Sequence, residues 1–144
     1  MKRRMSSGFT LVELLLVLII LSVLAAIVVP RLVGRGKEAR INAAKGQIGM
    51  FKTTIDSYVL DNYDQYPSSE QGLKALFSKP TSAPVPKKWK GPYLESIPLD
   101  PWNNEYKYAQ PGKHFPSGCD IWSVGPDGQD GTDDDIGNWN LQPE

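Results

Sequence analysis

The chain has 144 residues, 40% of them hydrophobic, and its 16 basic side chains balance 16 acidic ones, leaving a formal net charge of zero. That balance hides a split: residues 1–52 carry nine Lys/Arg against two carboxylates, whereas residues 53–144 carry seven against fourteen. Phosphate would repel most of the chain, which excludes a uniformly basic nucleic-acid binder. A single cysteine, Cys119, excludes an internal disulfide.

Residues 1–8 are short and cationic through Lys2, Arg3 and Arg4. From Phe9 to Val29 the chain is almost wholly apolar, and between Leu14 and Val29 only Ser22 is polar. As a helix this stretch spans about 30 Å, the hydrocarbon thickness of a bilayer. The three leading cations place its first end in the cytoplasm and the bulk of the chain outside. A secretory signal peptide has an apolar region of only about 7–15 residues and a small-x-small cleavage site. Leu24-Ala25-Ala26-Ile27-Val28-Val29 offers no clean site of that kind.

Glu13 stands inside the apolar run. A carboxylate within a membrane span costs several kcal/mol unless it is paired or reaches water. It either snorkels towards the headgroups or pairs with an amine from a neighbouring chain.

Gly8-Phe9-Thr10-Leu11-Val12-Glu13 ahead of an unbroken apolar run resembles the class III signal of type IV pilins and pseudopilins. The resemblance implies that an aspartic prepilin peptidase cuts between Gly8 and Phe9, that Phe9 becomes N-methylated, and that residues 1–8 are lost. It also implies that Glu13 pairs with the amino group of Phe9 on an adjacent subunit during assembly.

Beyond Pro30, Ile41, Ala44, Ile48, Phe51, Ile55 and Tyr58 form one stripe of an amphipathic helix. One long helix is expected from about Phe9 to about Leu60, bent near Pro30 and loosened at Gly34 and Gly36. A short helix is expected over Ser69–Ser78, with Leu73, Leu76 and Phe77 on one face. Strands follow around Tyr106–Tyr108 and Ile121–Val124, separated by a turn at Pro111-Gly112. The expected architecture is α+β: a long helix packed on two or three antiparallel strands.

Gly125 to Asp135 holds five carboxylates in eleven residues, and no Lys or Arg follows Lys113. Such a loop either stays extended and solvated or folds around a hard cation. Ca²⁺ accepts six to eight oxygen ligands in irregular geometry, which one loop can supply. The spacing departs from an EF-hand, whose twelfth position would fall on Asn138 rather than on glutamate. From the residues alone both outcomes stay open.

Tyr66-Pro67, Glu70 to Leu76, Gly91-Pro92-Tyr93-Leu94, Asp100-Pro101-Trp102, Ser123 to Gly128 and Asp134 to Trp139 are similar to the major-pseudopilin family of bacterial type II secretion systems. Together with the N-terminal signal these blocks cover nearly the whole chain. The resemblance implies one bound calcium ion, with Asp127, Asp134 and Asp135 as carboxylate ligands and the Val124 carbonyl as a main-chain ligand. Gln129 and Thr132 fall on further contributors, while Asp130 and Asp133 face solvent or the surroundings of the site. Such a clip would replace the C-terminal disulfide common in type IV pilins, and Cys119 reads as a small, partly buried packing residue.

No active site is legible, so an enzyme is not expected. His114, the only histidine, lacks a cysteine or serine partner in sequence and reads as a surface residue. Gly36-Lys37 lacks the upstream glycine of a nucleotide loop. Trp89, Trp102, Trp122 and Trp139 read as core rather than as a sugar platform.

The organisation expected is a cleaved leader over residues 1–8, a membrane and polymerisation helix over 9–30, and a periplasmic domain over 31–144. The resemblance implies a single-pass inner-membrane protein that polymerises into a periplasmic filament driving export across the outer membrane. Its partners would be copies of itself, minor pseudopilins, the prepilin peptidase and the inner-membrane secretion platform. Two other readings stand beside it: a type IV pilin of a surface filament, and a membrane-anchored calcium-dependent binding module that does not polymerise.

Overall fold

The structure, a computed structural model, describes the backbone of residues 9–141 and, apart from residues 28–33, their side chains. Helix α1 runs from Leu11 to Asp61, and its ladder passes through Pro30 without ending there. Proline removes one backbone donor, and a helix of 51 residues keeps its hydrogen bonds on either side. The chain forms two compact units that meet in sequence at Glu38 and Ala39.

In the second unit the expected stripe is the core. Ala44, Ile48, Phe51, Ile55 and Tyr58 are buried, with Ile41 at the margin. Aromatic edges complete the packing: the Phe51 and Tyr106 rings lie 5.0 Å apart at 69°, and Tyr58 meets Tyr93 at 5.7 Å. Tyr106 also donates its hydroxyl to Gln47 on α1, and Tyr108 donates to the Pro67 carbonyl at 2.8 Å.

The expected helix over Ser69–Ser78 is only a single turn, α2, Lys74–Phe77. Ahead of it the backbone turns: Gly72 adopts φ +55° and donates its N–H to the Ser68 carbonyl at 2.9 Å. Gln71 fixes this turn from inside, donating to the carbonyls of Ser82 and Pro84 at 2.8 and 3.0 Å. Leu73 and Leu76 are buried as expected, but Phe77 points outward and is 49% exposed, because in so short a helix Ala75 and Leu76 take the inner positions.

Three antiparallel strands follow in the order β1 (Lys107–Ala109), β2 (Asp120–Ser123) and β3 (Ile136–Gly137). Tyr108 pairs with Ile121 and Ser123 with Ile136. The acidic loop therefore leaves the end of β2 and returns as β3, so its two feet are fixed by one strand pair.

Candidate functional site

Two places carry the chemistry singled out in the sequence. At the start of α1, Glu13 Oε2 accepts hydrogen bonds from the Thr10 N–H at 2.8 Å and the Thr10 hydroxyl at 3.0 Å. In return the Glu13 N–H donates to the Thr10 hydroxyl at 3.2 Å. This is a reciprocal capping box, which satisfies helix-end donors that have no intrahelical partner. Thr10-Leu11-Val12-Glu13 carries the S/T-x-x-E signature for it, a signal that the apolar setting of Glu13 masks. Phe9 is exposed beside this box, and Gly8, the other half of the cleavage signal, lies outside the described residues. Among the described residues no helix is long and apolar enough to cross a membrane. The side chains described along the apolar run extend to Ile27, and from Leu11 to that point every large one is exposed.

The second place is the loop between β2 and β3. Gly125 opens it at φ +68°, a conformation that L residues rarely adopt. A Cβ there would also stand 2.8 Å from Asp134 Oδ2. Asp134 is held on both oxygens, accepting from the Thr132 hydroxyl at 2.6 Å and from the Asp127 N–H at 3.2 Å. Those bonds, the Thr132 hydroxyl foremost, hold its carboxyl below the usual range. Asp127 accepts from the Gln129 N–H at 2.8 Å, and the Gln129 carbonyl accepts from the Thr132 hydroxyl at 3.2 Å. Val124, the main-chain candidate, is buried at the foot of the loop.

Asp135 differs from its neighbours. Its Oδ2 accepts from the Gly131 N–H at 2.8 Å, while Oδ1 is buried without any hydrogen-bond partner. Burial pushes its carboxyl up, and the negative charges of Asp130, Asp134 and Asp127 add to that. Oδ1 is thus a buried acceptor without a donor, on a carboxyl that neighbouring acids disfavour further.

The residues predicted as ligands thus fall on one loop and use oxygen donors alone, which suits a hard cation. Among the described residues, however, no three acidic, histidine or cysteine side chains form a ready cluster for an ion. The loop's own N–H and O–H groups engage much of the carboxylate set instead.

Around this loop stand groups whose roles the sequence hid. Buried Asp100 accepts from the N–H groups of Trp102 and Asn104 at 2.9 and 2.8 Å and from the Ser123 hydroxyl at 2.5 Å. Ser123 Oγ in turn accepts from the Gly125 N–H at 3.1 Å, so Asp100 braces the loop's first turn. His114 is more than a loose surface residue: its Nδ1 lies 2.9 Å from buried Asp120, and its ring stacks on Trp139 at 3.8 Å. Burial works against the charge on Asp120, but the His114 backbone and ring and the Phe115 N–H outweigh it and hold the carboxyl below its usual range. Of the tryptophans expected in the core, Trp89 and Trp102 pack against it. Trp122 and Trp139 gather beside His114, and Trp122 donates its indole N–H to Asp130 at 2.8 Å.

A long helix bearing a three-stranded antiparallel sheet, behind an N-terminal methylation signal, is a pilin-like architecture. The crystal structure of the major pseudopilin from the type 2 secretion system of enterohaemorrhagic Escherichia coli superimposes on it with a TM-score of 0.70 at 40% identity. That likeness covers 76% of this chain and 91% of the other. Residues 3–29 match the prokaryotic N-terminal methylation motif, and residues 31–139 match the family described as type II secretion system protein G. The type II secretion system core protein G of Pseudomonas aeruginosa is 48% identical, covering 97% of this chain and 99% of its own. The corresponding protein of Aeromonas hydrophila is 47% identical over 99% and 98%. The chain belongs to the type II secretion system protein G family.

Proposed function

We propose how this chain, a structural subunit of the type II secretion pseudopilus by its family, does its work. The prepilin peptidase removes residues 1–8 by cutting between Gly8 and Phe9, and Phe9 is N-methylated. The apolar run from Phe9 to Val29 holds the subunit in the inner membrane in a single pass. Residues 31–144 then stand in the periplasm. Minor pseudopilins start the polymer, and the inner-membrane platform feeds further copies into it. The match to the methylation motif over residues 3–29 carries this reading.

Glu13 supplies the driving chemistry. While the subunit waits in the membrane, the Thr10 capping box shields one oxygen of the acid. A carboxylate in hydrocarbon still favours a full positive partner, and the amino end of an adjacent Phe9 provides one only in the polymer. Glu13→Ala therefore abolishes filament assembly and secretion in the host while the rest of the domain folds. Normal assembly of that variant would refute the mechanism.

The acidic loop is read as a calcium clip held by Asp127, Asp134, Asp135 and the Val124 carbonyl, with the Gln129 carbonyl and Thr132 contributing. Calcium would supply the positive charge that the loop lacks, answering the unpartnered Asp135 Oδ1. The chain's own part is to aim oxygens: the left-handed turn at Gly125 leaves room for Asp134, and the strand pair fixes both feet of the loop.

A further inference from the structure

A cavity of about 180 Å³ opens beside the acidic loop, walled by His114, Trp122, Trp139, Asp130 and Asp135, with Lys113 as its one cation. It combines indole rings with carboxylates. Trp122 is pinned by its indole N–H to Asp130, and Trp139 by its stack on His114, so both rings keep their places without a ligand. Pinned indoles beside carboxylates suit a guanidinium or ammonium group, which gains from the ring face and from the negative charge together.

The chain also carries the matching ligand. Arg35, Lys37 and Arg40 on α1 are exposed, and none of them forms an ion pair among the described residues. We propose that this cavity receives a basic side chain from the Arg35–Lys45 stretch of α1 on a second copy of the chain. The proposal rests on the filament reading above. The two patches are complementary rather than self-matching, so each copy offers one of each. A contact of that head-to-tail kind repeats into an open filament instead of closing as a dimer. It also gives the split between the basic first third and the acidic remainder a use. Asp130 is not among the calcium ligands, so calcium in the loop leaves its charge available.

The test uses filaments assembled from an equal mixture of ¹⁵N-labelled and unlabelled full-length chains, treated with a carbodiimide that joins carboxylates directly to amines. No Lys or Arg follows Lys113, so trypsin releases the acidic region as one peptide, His114–Glu144. The expected product links that peptide to Lys37 or Lys45, with one partner light and the other heavy. Trp139→Leu keeps every carboxylate and lowers the yield of this mixed pair several-fold, with Cys119 still shielded from a thiol reagent as the sign of a folded domain. Filaments that give no mixed pair, pairs found only within one isotope, or a yield indifferent to Trp139→Leu would each overturn the proposal. Absence of any wild-type filament would instead overturn the filament reading on which it stands.

Discussion

Ser123 Oγ donates to Asp100 Oδ2 at 2.5 Å, and through that contact the loop ahead of β1 governs the turn that opens the acidic loop. Both residues are buried, and Asp100 also serves the N–H groups of Trp102 and Asn104. Asp100→Ala strands three donors at once. Hydrogen bonds to a buried charge are worth about 1.5–3 kcal/mol each in isolation and do not add in full. A loss of about 3 kcal/mol is expected in denaturant unfolding of the detergent-solubilised chain, followed by tryptophan fluorescence. Asp100→Asn keeps the acceptor for the two backbone donors and costs less than half as much. Equal losses in the two variants would mean that the Ser123 contact, rather than the backbone bonds, dominates.

Calcium and Asp135 give a prediction that changes sign. Without calcium, Asp135 is an acid pushed up by burial and by its like-charged neighbours, so Asp135→Asn is neutral or stabilising. With calcium at 100 times its dissociation constant, the wild-type chain gains about 2.7 kcal/mol, and Asp135→Asn forfeits most of it. Melting curves in chelator and in excess calcium measure both arms. A variant less stable than wild type by the same amount in both conditions would show that Asp135 works without an ion.

The helix stripe was legible from Ile41 to Tyr58 because a 3.6-residue period survives in sequence wherever one face meets a core. The sheet was legible in outline, though β3, with Ile136 and Gly137 alone, is too short to alternate. What escaped depended on contacts between distant residues. His114 looked solitary because its partner Asp120 approaches across the turn between β1 and β2. Asp100 looked like one more loop acid because Ser123, its partner, is 23 residues away. Trp122 and Trp139 looked like core because hydrophobic bulk says nothing of which surface a ring will face. The carboxylates of the loop were visible at once. Which of them buries an oxygen without a donor depends on where the backbone N–H groups point, and only the fold shows that it is Oδ1 of Asp135.

Cys119 makes the domain sensitive to alkali. Burial pushes its thiol up to about 11, from an ordinary value of 9.0. An unfolded chain therefore loses this proton before the folded one does. Between pH 9 and 11 the native state holds more protons, so stability falls as pH rises, by about 2 kcal/mol across that window from this group. Buried Tyr106 and half-buried Tyr108 are pushed up in the same way and add to the slope. Cys119→Ala should flatten the decline measurably in urea midpoints taken at successive pH values. At pH 8 the native thiol should resist an aromatic disulfide reagent and react only on unfolding. Rapid labelling of the folded chain would contradict the burial.

Thr10 separates the two duties of Glu13. In the capping box the threonine hydroxyl both donates to the acid and accepts from its N–H, whereas the Thr10 N–H reaches the acid without help from the side chain. Thr10→Val removes the hydroxyl and keeps the size. Loss of an N-cap costs about 1 kcal/mol of local helix stability, and in this chain it also removes one donor from the carboxylate. If Glu13 acts mainly by capping, Thr10→Val and Glu13→Ala should impair assembly alike. If it acts by meeting the amino end of another subunit, Thr10→Val leaves the charge in place with one competitor fewer. Filament yield should then stay near wild type, or rise, while Glu13→Ala yields none. The second result is expected, because a cap is worth about 1 kcal/mol and an unpaired acid within the bilayer several.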